Sequence, residues 1–158
     1  MRHLRAAVVL TVGLGVSTSC GWSPPPASPT TSVACGQAEG PSTATLDSEI
    51  ARLPSASWRE ASRGHSADCR LHWVIVTAGA APDSPQQVLF FDRNSPLGTP
   101  TPDPRPYVAV TPQGDDTAVV QYQWRQADEP ACCPTGIGTA RFTIRDGRLE
   151  ALDPVPGP

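Results

Sequence analysis

The chain has 158 residues, with 12 basic residues, all of them arginine, against 15 acidic ones, for a formal charge of −3. That balance leaves no basic footprint, so nucleic acid is excluded as a partner class. The length allows one modest domain. Abundant Ala, Gly, Pro and Arg with no lysine reflect GC-rich coding rather than function.

Met1-Arg2-His3-Leu4-Arg5 is a basic start, and an apolar run of 11 residues, Ala6 to Val16, follows it. A bilayer-spanning helix needs about 20 such residues, whereas an export-signal core takes roughly 7–15. Residues 1–19 are therefore assigned to a signal peptide ending at Cys20. A cysteine at that point predicts a bacterial-type lipid modification, and the mature chain would begin with lipidated Cys20. Ser17 stands where such signals usually carry an aliphatic residue, so cleavage after Ser19 without lipid is the alternative. A diacylglyceryl group brings two acyl chains, each methylene contributing about 0.8 kcal/mol on burial, which anchors far better than one chain.

Residues 20–33 are rich in Pro, Ser, Thr and Ala and form an extended spacer. The folded domain is expected over 34–154, with 155–158 as a tail. Ser42 or Thr43 caps a helix whose Leu46, Ile50 and Leu53 make one apolar stripe, and Pro54 stops it. Strands follow: Leu71–Val76 and Gln87–Phe91 as apolar runs, then Tyr107–Val110, then Thr117–Arg125. In that fourth strand Ala118, Val120, Tyr122 and Trp124 alternate with Thr117, Val119, Gln121, Gln123 and Arg125, the pattern of a sheet with one wet face. Asp146-Gly147 predicts a type I′ hairpin that pairs Ile144 with Leu149, Phe142 with Ala151 and Thr143 with Glu150. The expected fold is α+β: one small domain, an antiparallel sheet of five or six strands and one amphipathic helix.

Four cysteines besides Cys20 are an even set in an oxidising compartment, so Cys35, Cys69, Cys132 and Cys133 are expected in two disulfides. A vicinal Cys132–Cys133 bridge with a Cys35–Cys69 clasp competes evenly with crossed pairing. Zinc is not expected, because no C-x-x-C pair occurs in an exported chain, and no cofactor is implied. His65-Ser66-Ala67-Asp68 holds the residue types of a hydrolytic triad without a nucleophile elbow, and it is read as a solvated loop. His72 is read as a hydrogen-bonded structural residue. Asp115-Asp116 and Asp128-Glu129 are read as ordinary turn acids rather than calcium ligands, which number 6–8 oxygens. The expected binding surface is a polar sheet face of Gln121, Gln123, Arg125, Arg141 and Arg145, whose arginine forks suit carboxylates, phosphates and sugar polymers.

Ser84-Pro85-Gln86-Gln87-Val88-Leu89-Phe90-Phe91, Leu97-Gly98-Thr99, Tyr107, Cys132-Cys133-Pro134 and Leu152-Asp153-Pro154 together resemble the LppP/LprE family of actinobacterial lipoproteins. The resemblance runs from Cys35 to the C-terminus and departs at Asn94-Ser95-Pro96, where an aromatic residue is expected. It implies a cell-envelope lipoprotein on the outer face of the cytoplasmic membrane, without catalytic residues to carry over. The expected role is a non-catalytic interaction module whose partner is an envelope protein or wall polymer. The alternative is a small-ligand or lipid carrier with a pocket lined by Trp73, Phe90, Tyr122 and Trp124.

Overall fold

The computed structural model describes residues 35, 36 and 39–157. Cys20, the signal segment and the spacer lie outside the described residues. Helix α1 (Thr43–Ile50) is capped by Ser42, whose extended backbone (φ −68°, ψ 160°) lets its hydroxyl accept from the Thr45 amide at 3.2 Å. Asn94 reinforces the cap from across the domain, its Oδ1 accepting from the Ser42 amide and the Thr45 hydroxyl, both at 2.8 Å. The helix ends earlier than Pro54, and a tightened turn finishes it, with the Arg52 and Leu53 amides donating to Glu49 and Ile50 carbonyls.

Eight strands follow, and they form two sheets rather than one. Strands β1 (Arg59–His65), β2 (Leu71–Thr77), β3 (Gln86–Asp92) and β4 (Ser95–Gly98) make the first antiparallel sheet in that order. The second contains β5 (Val108–Gln113), β6 (Thr117–Trp124), β7 (Gly136–Arg145) and β8 (Arg148–Ala151), also in chain order. The expected single sheet of five or six strands is corrected by burial. Every residue of β2 is buried, as are Gln87 to Phe91 of β3, and one short helix cannot cover both faces of such strands. The second sheet covers the face that the helix leaves.

The result is three layers. Leu46, Ile50, Leu53 and Trp58 pack on Val74, Val76, Leu89 and Phe91. On the other face Leu71, Trp73, Ile75, Val88 and Phe90 meet Ala118, Val120, Tyr122, Ala140 and Phe142. The Phe90 and Phe142 rings lie 5.5 Å apart between centroids, tilted by 33°. Gly64 of β1 is required by this packing, because a Cβ there would come within 2.6 Å of the Trp73 indole.

Strand β1 carries no strand signal in its sequence, Arg-Glu-Ala-Ser-Arg-Gly-His, which has no apolar alternation. It is an edge strand, exposed over its first five residues and shifted in register between Glu60 and Ser62, and charge and a bulge are how exposed edges avoid further pairing. The β7–β8 hairpin follows its predicted register, with Ile144 opposite Leu149, Thr143 opposite Glu150 and Phe142 opposite Ala151. Its turn residues take the left-handed conformation, Asp146 at φ 50° and Gly147 at φ 72°.

The segment expected as a tail belongs to the domain. Val155 packs against the inter-sheet core, and Arg105 Nη1 donates to the Pro156 carbonyl at 2.6 Å. Cys35 is bonded to Cys69, and Cys132 to Cys133.

Candidate functional site

Residues 99–107 read Thr-Pro-Thr-Pro-Asp-Pro-Arg-Pro-Tyr, with proline at every second position. Proline carries no amide donor and is tolerated in a ladder only singly, on an edge strand, so a stretch with proline at every second position leaves the first sheet and crosses to the second. Arg105, one of its donor-bearing residues, exchanges both backbone hydrogen bonds with Gln86, at 3.1 and 2.8 Å. Gln86 Oε1 then accepts from the Val108 amide at 2.8 Å. The crossover is thereby fixed against β3, and the Arg105 side chain is set at the end of the second sheet.

Beside it lies a pocket of about 420 Å³, lined chiefly by Arg105, Tyr107, Tyr122, Trp124 and Arg125, with Asp83 as its carboxylate. The Arg105 guanidinium carbon stands 5.3 Å from the Tyr122 ring centroid, a cation–π distance. Tyr107 takes φ 57°, uncommon for a residue with a Cβ, and its hydroxyl donates to the Ala131 carbonyl at 2.6 Å. That bond ties the 126–135 loop, which holds the Cys132–Cys133 bridge, to the pocket. Glu129 organises the same loop. It accepts from the Gln126 and Thr135 amides at 2.8 and 3.0 Å and from the Thr135 hydroxyl, and the Gln126 amide bond first, then those from Thr135, hold its pKa below the ordinary value. Glu129, read from sequence as an ordinary turn acid, is thus the loop's internal clamp.

Tyr122 is only 2% exposed, and its hydroxyl is a buried polar group without a hydrogen-bond partner among the described residues. Burial pushes its pKa up to about 12, against a smaller opposite pull from Arg105, so it is neutral at physiological pH. Removing an unpaired buried hydroxyl relieves a desolvation cost of about 1–3 kcal/mol. Tyr122→Phe is therefore expected to melt at the same temperature as the parent or higher. A clear loss of thermal stability would show that the hydroxyl has a partner.

The polar sheet face expected from sequence exists as a face, but its register and charge differ. Gln121 lies opposite Thr139, Gln123 opposite Ile137, and Arg141 opposite Val119. Antiparallel pairing sends Arg125 and Arg145 to opposite ends of the sheet, so the five residues do not form one continuous patch. Both sheet-face arginines on β7 also have acidic partners. Arg141 makes a two-pronged bond to Asp153, at 2.8 and 2.9 Å, and Arg145 meets Glu150 at 2.8 Å. The Arg141 side chain, then its backbone amide, hold the Asp153 carboxyl down at a pKa of about 2. Arg125 instead lines the pocket, as does Gln123.

The His65–Asp68 segment is not a triad. Ser66 is wholly buried and donates to Asp68 Oδ1 while accepting from the Leu71 amide at 3.0 Å. This is a turn lock rather than a solvated loop. His65 Nδ1 faces Cys35 Sγ at 3.1 Å and the Ser66 carbonyl at 3.0 Å, away from any activated hydroxyl. Cys35, His65 and Cys69 are close enough to share an ion, yet the two sulfurs are bonded to each other. His72 is buried, with Nε2 at 3.1 Å from the Cys69 carbonyl, and burial lowers its pKa. Asp115 and Asp116 serve through their backbone carbonyls, accepting from the Asp68 amide and the Thr143 hydroxyl.

Two packed antiparallel sheets, two disulfides and a surface pocket define a disulfide-stapled β-sandwich domain, an architecture suited to oxidising compartments. The chain belongs to the LppP/LprE lipoprotein family, whose model matches residues 63–147 and so spans the pocket. It is 50% identical over 151 residues to the proteins named "Putative lipoprotein LppP" of Mycobacterium tuberculosis and Mycobacterium bovis, covering 92% of this chain and 86% of theirs. No solved structure matches it. Among the described residues no helix is long and apolar enough to cross a membrane.

Proposed function

We propose that this chain is a non-catalytic binding module of the cell envelope. Lipid on Cys20 anchors it to the outer face of the cytoplasmic membrane, residues 1–19 are removed on export, and residues 20–33 space the domain from the bilayer. The anchor reading is supported by membership of a lipoprotein family and by the basic–apolar–cysteine layout of the N-terminus. The observation that carries the binding reading is the pocket of Arg105, Tyr107, Trp124 and Arg125 beside the stapled loop. A carrier enclosing its cargo between helix and sheet has less support, because Trp73, Phe90 and Tyr122 are packed into the inter-sheet core. Recognition then takes place at the surface.

In cells fed an alkyne fatty acid, the chain is expected to take up label and sediment with membranes, and Cys20→Ala to lose both. Label retained by that variant would rule out the anchor. A photo-crosslinker placed at Trp124 in intact cells is expected to give adducts that the same group at Gln113, on an exposed strand end, does not. Identical patterns from both positions would remove the pocket as the recognition surface.

A further inference from the structure

We propose that the pocket binds a small monoanionic carboxylic acid with a flat apolar body, the Arg105 and Arg125 guanidinium groups taking the carboxylate and Trp124 and Tyr107 flanking the ring. This rests on the binding-module reading and adds the chemistry of the ligand. A guanidinium offers five N–H donors. Arg105 uses one, on the Pro156 carbonyl, and Arg125 one, on the Glu129 carbonyl at 3.3 Å. The remaining donors of both have no acceptor among the described residues, and neither side chain has a carboxylate within ion-pair distance there. The arginines of the sheet face, by contrast, are matched by Asp153 and Glu150. The unspent donors of this end of the sheet therefore converge on one cavity.

Asp83 also lines the pocket, so two guanidinium groups and one carboxylate leave a single net positive charge. That balance suits a monoanion better than a dianion. Tyr107, Tyr122 and Trp124 supply most of the remaining wall, beside Pro106 and Gln123, and a ring stacked there gains both area and cation–π contact. A volume of about 420 Å³ falls in the usual range for small-molecule sites, roughly 300–1,000 Å³, and favours a free small acid over a segment of polymer.

The test uses the full lipidated chain in nanodiscs, with empty nanodiscs as blank, titrated calorimetrically with 2-naphthoate, 2-naphthamide and acetate. Saturable one-to-one binding of 2-naphthoate is expected, with the isosteric amide weaker by about tenfold or more, the scale of one charge-assisted hydrogen bond. Acetate should not saturate, and affinity should fall with salt. Arg125→Gln is expected to weaken naphthoate about tenfold, as is Arg105→Gln. The former keeps the Pro156 clamp intact and so guards against a folding artefact. Arg148→Gln, at the distant hairpin, should change nothing. Equal affinity for acid and amide would overturn anion recognition while leaving an apolar binding pocket in place. No saturable binding of 2-naphthoate, or unchanged affinity in both pocket variants, would overturn the proposal outright. The binding-module reading fails separately, through the in-cell crosslinking pattern.

Discussion

Phe90→Ala is expected to lower unfolding stability by about 3–5 kcal/mol, the usual cost of truncating a fully buried phenylalanine. The residue is 1% exposed and stands on the first sheet facing Phe142 of the second. Its removal leaves a cavity at the plane where the two sheets meet, between rigid ladders that cannot collapse around it. Domains of this kind are stable by only about 5–15 kcal/mol in total, so the variant should be visibly unfolded at moderate urea. A double-mutant cycle with Phe142→Ala should return a coupling of about 0.5–1.5 kcal/mol for the aromatic pair. Val119, on the outward face of the second sheet, supplies the control. Should Phe90→Ala cost no more than Val119→Ala, the sheets do not pack against each other as described.

Replacing Cys35 and Cys69 together by serine is expected to cost about 4 kcal/mol, and replacing Cys132 and Cys133 together far less. The difference follows from loop length. The first bridge spans 34 residues, and the chain-entropy relation assigns about 3.8 kcal/mol to closing such a loop in the unfolded state. Adjacent cysteines close no loop beyond the bridge itself, so the unfolded ensemble hardly changes when that bond is lost. The Cys132/Cys133 variant should therefore melt near the parent but alter hydrogen exchange in the 126–135 loop and ligand affinity in the pocket. Equal losses from the two double variants would mean that the vicinal bridge supports the global fold. A negligible loss from Cys35/Cys69 would mean that the N-terminal clasp is dispensable.

Much of the second sheet was legible because its strands have one wet face. The alternation of Ala118, Val120 and Tyr122 with their polar neighbours, and the Asp146-Gly147 turn, fix register locally. The apolar runs of β2 and β3 gave strands but not their surroundings, since a continuous run does not say what covers each face. The alternating prolines at 100, 102, 104 and 106 were the signal for the change of sheet, because no ladder tolerates a missing donor at every second residue. Strand β1 offered no such signal. Its polarity belongs to an edge, and its strand character comes from pairing with β2 rather than from its own residues. The pocket was equally hidden. Tyr122, Trp124 and Arg125 were singled out, but Arg105 and Asp83 join them only through the crossover, a long-range event that no spacing rule captures. Arg141 on the sheet face is the converse case, since its partner Asp153 lies among the domain's final residues, far from it in sequence.

Strand order adds a consequence for how the molecule assembles. Each sheet is a simple meander in which every strand pairs with its neighbour in the chain, so all ladder pairing is local and its loop-closure cost is small. The long-range events are the docking of one finished meander on the other, the proline crossover against Gln86, and the return of Val155 and Pro156 across the second sheet. A chain emerging N-terminus first can complete its first ladder while the second is still to come, and that half-formed state exposes Trp73, Ile75, Val88 and Phe90 as one bare surface. The polar, bulged β1 then protects the edge of the sheet at the stage when its face is unprotected.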